Sequence, residues 1–94
     1  MSIVVNLGER LRGRTKVPSI EIAAATLWES IMILDQNYPG FFRDVYSESK
    51  REIRNGIRIS LNGTAVQPTS ETELKSIALQ EGDEVYIFGS AAGG

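Results

Sequence analysis

Cysteine and histidine are both absent from the 94-residue chain. Without them there is no thiolate nucleophile, no disulfide, no imidazole base and no ordinary zinc site. No apolar run approaches the roughly 18 residues that a membrane-spanning helix needs, and Met1–Leu7 is too short for the apolar centre of a signal peptide. These absences predict a cytoplasmic protein with no membrane association. A strong positive balance is also missing: ten Lys and Arg stand against twelve Asp and Glu, a formal net charge of −2. A dedicated nucleic-acid binder would usually be basic. The carboxylates do not form an acid/base pair either, because Asp83 and Glu84 are adjacent in a predicted strand and so point to opposite faces. The Glu71 and Glu73 pair suggests no more than that one does.

What the chain does contain is ordinary globular material. Apolar residues make up 41% and charged residues 23%, which suits a single domain of one sheet packed on one helix. Charge is uneven along it. Residues 1–58 hold nine Lys and Arg against seven Asp and Glu, whereas residues 59–94 hold only Lys75 against five carboxylates. From this the end that carries the C-terminus is expected to be acidic and its partner basic.

Ser2–Leu7 (SIVVNL) reads as a strand with Ile3, Val5 and Leu7 on one face. Gly8–Lys16 (GERLRGRTK) is polar with two glycines and reads as a loop. Its alternating Arg10, Arg12, Arg14 and Lys16 form a solvated hairpin tip, since no aromatic residue interleaves them. Val17–Ile22 (VPSIEI) returns as a second strand near a sheet edge, Pro18 having no N–H to give a ladder. Thr26-Leu-Trp-Glu29 fits a capping box and opens a helix. Leu27, Ile31 and Leu34 are its apolar stripe, with Trp28 in or near the core. Tyr38-Pro39-Gly40 ends the helix. Phe41–Tyr46 follows as a short helical turn and Ser47–Gly56 as a polar loop. Ile57–Leu61 and Thr64–Val66 form a hairpin around Asn62-Gly63. Pro68–Leu79 allows one helical turn. Glu84–Phe88 (EVYIF) is dense in β-formers and reads as a buried central strand. A hairpin whose two strands flank such a final strand, with one main helix across one face, defines an α+β β-grasp (ubiquitin-like) fold with a mixed sheet of four to five strands. The domain is expected to occupy residues 1–88.

The last six residues, Gly89, Ser90, Ala91, Ala92, Gly93 and Gly94, carry no branched, aromatic or charged side chain. Fully extended they reach roughly 20 Å. Two terminal glycines could pass a channel too narrow for any Cβ and bring a free carboxylate to a reactive centre. A frayed terminus would have the same composition. Within the strand before it, Tyr86 and Phe88 share one face and Val85 and Ile87 the other. One pair covers the helix side, and the other is left for a partner.

The segments Thr26–Ile31 with Tyr38-Pro39-Gly40, Ile57–Gly63 (IRISLNG), and Glu81–Phe88 leading to Gly93-Gly94 together resemble the MoaD/ThiS family of sulfur carriers. That family includes the small subunit of molybdopterin synthase, the thiamine-pathway carrier, a carrier used in cysteine synthesis and archaeal ubiquitin-like modifiers. The resemblance runs through nearly the whole chain in order. It implies a carrier that is not itself an enzyme and binds no cofactor. An E1-like adenylating enzyme would spend ATP to activate the Gly94 carboxylate, and sulfur would then be carried covalently as a thiocarboxylate. A sulfur-accepting synthase subunit of the MoaE type would receive it. Phe88 and Tyr86 would help dock these partners, and the free carrier would be a monomer. The molybdopterin-synthase type is the specific form implied, yet that type commonly has two prolines after the final aromatic where this chain has Gly89-Ser90. Two other readings remain open on sequence: a ubiquitin-like modifier joined to lysines through Gly94, and a plain β-grasp interaction module. Because the sequence ends at Gly-Gly with no peptidase needed to expose it, the carrier and the modifier are favoured over the third.

Overall fold

A computed structural model describes residues 2–89. In chain order they form β1 (Ser2–Leu7), α1 (Glu9–Thr15), β2 (Ser19–Ala23), α2 (Leu27–Asn37), α3 (Phe41–Val45), β3 (Tyr46–Ser47), β4 (Glu52–Ile53), β5 (Ile57–Leu61), β6 (Thr64–Val66), α4 (Glu71–Ser76) and β7 (Glu84–Gly89). Five strands make one mixed sheet in the order β2-β1-β7-β5-β6, and β3 pairs with β4 in a separate ribbon. β7 is parallel to β1 and antiparallel to β5. This is the β-grasp fold expected from the sequence. One detail differs: the hairpin strands β1 and β2 stay paired with each other, and the final strand is flanked by β1 and β5. β2 has β1 as its one neighbour; Pro18 precedes it and most of its side chains are exposed, a pattern that suits an edge.

Alternation along the strands decides which face is covered. Ile3, Val5, Leu7, Ile59, Val85 and Ile87 point to one side, where they meet Leu27, Ile31 and Leu34 of α2 and Leu74 of α4 in a single core. Thr26 caps α2, its hydroxyl accepting the Glu29 N–H at 3.1 Å. Glu29 reaches back one residue further than the simple box, to the Ala25 N–H at 2.8 Å. Gly40, at φ +103°, takes the left-handed turn after α2. Trp28 is half-buried, edge-on to Phe42 and Tyr46. No helix among the described residues is long and apolar enough to cross a membrane.

The segment after β1 departs from expectation. Gly8–Lys16 reads as a polar loop, whereas Glu9–Thr15 is a helix. Leu11 and Thr15 are buried at i,i+4 spacing, so one apolar anchor packed on the sheet outweighs the poor helix propensity of Gly13. The result scatters the arginines that seemed to share one hairpin tip.

Candidate functional site

β7 is where the sequence-predicted site begins. It lies between two strands of the sheet and its burial alternates strictly, with Val85 and Ile87 fully buried and Tyr86 40% exposed. Tyr86 and Phe88 therefore stand on the sheet face away from α2, which settles which pair faces the core. Their rings stack on each other with centroids 4.6 Å apart and planes 30° apart. Asn6 of β1 and Ser60 of β5 flank Tyr86, and Arg58 of β5 lies opposite Phe88. The neighbours of the stack are thus small or polar, and two adjoining aromatic rings form an apolar island in a polar surround.

The chain holds Phe88 there by leaving room for it. A Cβ on Gly8 would fall 2.5 Å from Phe88 Cβ and 2.9 Å from its Cα, a distance that real side-chain atoms do not reach. The Gly8 N–H donates to the Ile87 carbonyl at 2.8 Å, drawing the two backbones together. Gly8 thus ends β1, caps α1 and makes space for the aromatic pair.

Gly89 belongs to β7, opposite Ile57 of β5, so the ladder continues one residue into the stretch expected to be tail. Arg10 of α1 lies across it: a Cβ on Gly89 would come 2.8 Å from Arg10 Cδ. Ser90, Ala91, Ala92, Gly93 and Gly94 lie outside the described residues.

At the other end of β7 the carboxylates have structural duties. Asp83 Oδ1 accepts from Asn62 Nδ2 at 3.0 Å and its Oδ2 from the Gln80 N–H at 2.8 Å. These bonds hold its carboxyl below the ordinary value of 3.8, the Asn62 bond foremost. Asn62 Oδ1 also accepts the Glu84 N–H at 2.8 Å, so the β5–β6 turn is tied to the start of β7. Asn62 and Gly63 both have positive φ, 51° and 85°, as a two-residue hairpin of this hand requires. Glu73 closes the capping box of Ser70 on α4. The Thr69 hydroxyl and the Ser70 and Thr69 N–H groups lower its pKa from an ordinary 4.5. Glu71 pairs with Lys75 at 2.6 Å, and Glu81 accepts the Ser2 N–H at 2.7 Å.

These placements correct the charge expectation. The carboxylates of the C-terminal half do not gather at the Gly89 end of β7. Asp83 and Glu84 sit at the start of β7, about 17 Å of strand away from Gly89. Arg10, Arg12 and Arg58 border the end from which the tail leaves. Arg12 Nε donates to the Leu7 carbonyl at 3.0 Å, and Leu7 is level with Ile87 in the sheet. The sequence names Arg10 and Arg12 but reads them as a solvated hairpin tip, and it does not single out Arg58; the helix at Glu9–Thr15 is what places the first two beside β7. The signal available was the i,i+4 spacing of Leu11 and Thr15. Arg14 joins no such group: it forms a two-pronged pair with Asp44, at 2.5 and 3.2 Å, and donates to the Pro39 carbonyl at 2.7 Å.

No protein-family model and no curated protein matches this chain. Solved structures do match. It is similar to the small archaeal modifier protein SAMP1 from Haloferax volcanii at 22% identity and a TM-score of 0.79, with both chains covered completely. It is similar to a chain of the BexX/CysO complex of Amycolatopsis orientalis at 22% identity and a TM-score of 0.77, covering 98% of this chain and 99% of that one. A chain in the complex of subunits 1 and 2 of the molybdopterin-converting factor from Helicobacter pylori matches at 20% identity and a TM-score of 0.63, with both fully covered. At this identity the likeness is one of fold. The chain has the ubiquitin-like β-grasp fold, and the MoaD/ThiS-like resemblance read from its sequence agrees with that.

Proposed function

We propose that this chain is a sulfur carrier, and not an enzyme, whose reactive group is the Gly94 carboxylate. The observation that carries this reading is the course of β7. A strand anchored on both sides ends at Gly89 beside a stacked aromatic pair, Tyr86 exposed and Phe88 half-buried, and small residues follow it in the sequence. Tyr86 and Phe88 supply the docking area, and large aromatic groups in a polar surround are the usual energetic centre of an interface. Solved complexes of fold neighbours, BexX/CysO and subunits 1 and 2 of the molybdopterin-converting factor, support a chain of this shape working beside a second protein.

In the proposed chemistry an E1-like enzyme binds ATP, and the Gly94 carboxylate oxygen attacks the α-phosphorus, releasing pyrophosphate. The product is a mixed anhydride whose carbonyl carbon is open to nucleophiles. A sulfide-equivalent donor attacks that carbon, the bond to the AMP oxygen breaks, and a thiocarboxylate remains. Its sulfur is a better nucleophile than the oxygen it replaced. A synthase subunit of the MoaE type would accept it in a cytoplasmic biosynthesis, the molybdopterin-synthase type being the specific form implied. Gly89-Ser90 in place of two prolines takes weight from that destination and none from the chemistry. The domain's own share is presentation, because β7 fixes where the tail starts while the partner performs catalysis.

The second reading is a ubiquitin-like modifier joined through Gly94 to lysines, favoured by the full-length match to SAMP1. Both share the adenylate and part afterwards. The test is to incubate the chain with the activating enzyme of its own host and ATP, then add either a sulfide donor or host protein. The carrier reading expects thiocarboxylate and no Gly-Gly remnants on host lysines. Remnants without thiocarboxylate favour the modifier, and no adenylate at all removes both.

A further inference from the structure

We infer that the root of the tail is a basic docking collar, built from Arg12 and Arg58 around the Tyr86–Phe88 stack, and that it fits an activating enzyme whose tail-entry surface is acidic. The inference rests on the sulfur-carrier reading and specifies the partner's chemistry. Arg58 lies opposite Phe88 in the β5–β7 ladder, and the only side-chain hydrogen bond it makes among the described residues goes to the neighbouring Ile57 carbonyl at 3.3 Å. Arg12 is anchored through Nε alone to the Leu7 carbonyl and borders, with Asn6, Ser60 and Tyr86, a shallow depression on the same sheet face. Neither guanidinium meets a carboxylate among the described residues.

Among the described residues the carboxylates nearest Arg12 and Arg58 form no ion pair with either. Asp44 is taken by Arg14. Glu84, at the start of β7, borders the same depression as Arg12 and accepts from Asn6 Nδ2 at 3.4 Å. Glu9, in the first turn of α1, is the one acid near in sequence. On a molecule of net charge −2, the guanidinium groups of Arg12 and Arg58 thus flank the aromatic pair without a paired carboxylate among the described residues. An apolar island rimmed by cations suits a protein surface with an apolar seat and a rim of Asp and Glu. Nucleic acid suits it less, since the two rings stack on each other and offer no open pair of faces to bases. Five residues follow Gly89 in the sequence, at most about 17 Å of extended chain. The collar would thus meet the mouth of the partner's channel while the carboxylate reaches the nucleotide, and it would govern capture more than chemistry.

Pyrophosphate exchange by the host's E1-like enzyme, with the carrier varied, separates these roles. R58E and the double variant R12E/R58E are compared with wild type and with K75E on α4, across the sheet from the collar. R58E breaks only a bond to a neighbouring carbonyl, so it covers the chance that R12E perturbs folding. The expected result is a KM raised about tenfold by the double variant and several-fold by R58E, with kcat changed much less and K75E equal to wild type. Wild-type KM should also rise as salt is taken to roughly 0.3 M, and the double variant's should not. Exchange with wild type but equal KM for the variants overturns the collar and leaves the carrier reading standing. No exchange with wild type removes both. Salt-sensitive binding of a single-stranded RNA that R12E/R58E abolishes, with exchange unaffected, also overturns the inference.

Discussion

Ile87 and Phe88 are adjacent in β7 and carry opposite burdens. Ile87 is fully buried against the core, so Ile87→Ala should cost about 2–4 kcal/mol through lost burial and a residual cavity, read from urea unfolding. Phe88→Ala and Tyr86→Ala remove rings from the open face and should cost under about 1 kcal/mol of stability. Affinity for the activating enzyme should nonetheless fall by at least about tenfold, as for an aromatic hot spot. A Phe88→Ala protein that binds as tightly as wild type would remove the pair from the site. Asp83 and Glu73 give a second expectation. Their folded pKa values lie below their ordinary 3.8 and 4.5. The stability they contribute is present in full above those values and is lost as pH falls through the lower, folded ones. Asp83→Asn should therefore flatten the fall in melting temperature below about pH 4, and Glu73→Gln should do the same. An unchanged acid limb in both would show that the hydrogen bonds to these carboxylates do not persist in solution.

Between strands and helices the informative case is α1. Strand alternation, the Thr26 cap, the Tyr-Pro-Gly stop and the Asn-Gly turn each impose their structure locally, so β1, α2, the β5–β6 hairpin and β7 could be read from spacing alone. α1 could not, because it has only Leu11 and Thr15 to bury and owes its stability to the sheet it lies on. The same dependence hid the collar. Arg12 and Arg58 are 46 positions apart and come to the two sides of β7 only because α1 follows β1 and both β1 and β5 border β7. The β7 alternation, by contrast, paired Tyr86 with Phe88 in advance and left open only which pair faced outward. Two glycines test the packing of α1. A Cβ at Gly13 would meet nothing within 4 Å, so Gly13→Ala should raise stability by about 0.5–1 kcal/mol. Gly8→Ala would push a Cβ into Phe88. It should lower the melting temperature and displace Phe88, seen as changed ring resonances of Tyr86 and Phe88. If Gly8→Ala leaves both unaltered, the close approach of α1 to β7 is wrong.

The domain as a whole divides its labour between a folded body and a short terminal chain. Among the described residues the core lies within residues 3–87, and removal of Gly93-Gly94 should leave the unfolding midpoint unchanged within experimental error while abolishing activation. The body sets where the chain leaves, between β1 and β5 and beside two aromatic rings, and the tail sets how far it reaches. The measurement that bears most directly on Gly94 as the reactive group is the intact mass of the protein purified from its native host. The expected mass corresponds to replacement of one terminal oxygen by sulfur, present in the full chain and absent when Gly93-Gly94 are removed. A mass without sulfur while the host's activating enzyme is present and active, or sulfur retained after the two glycines are deleted, would contradict it.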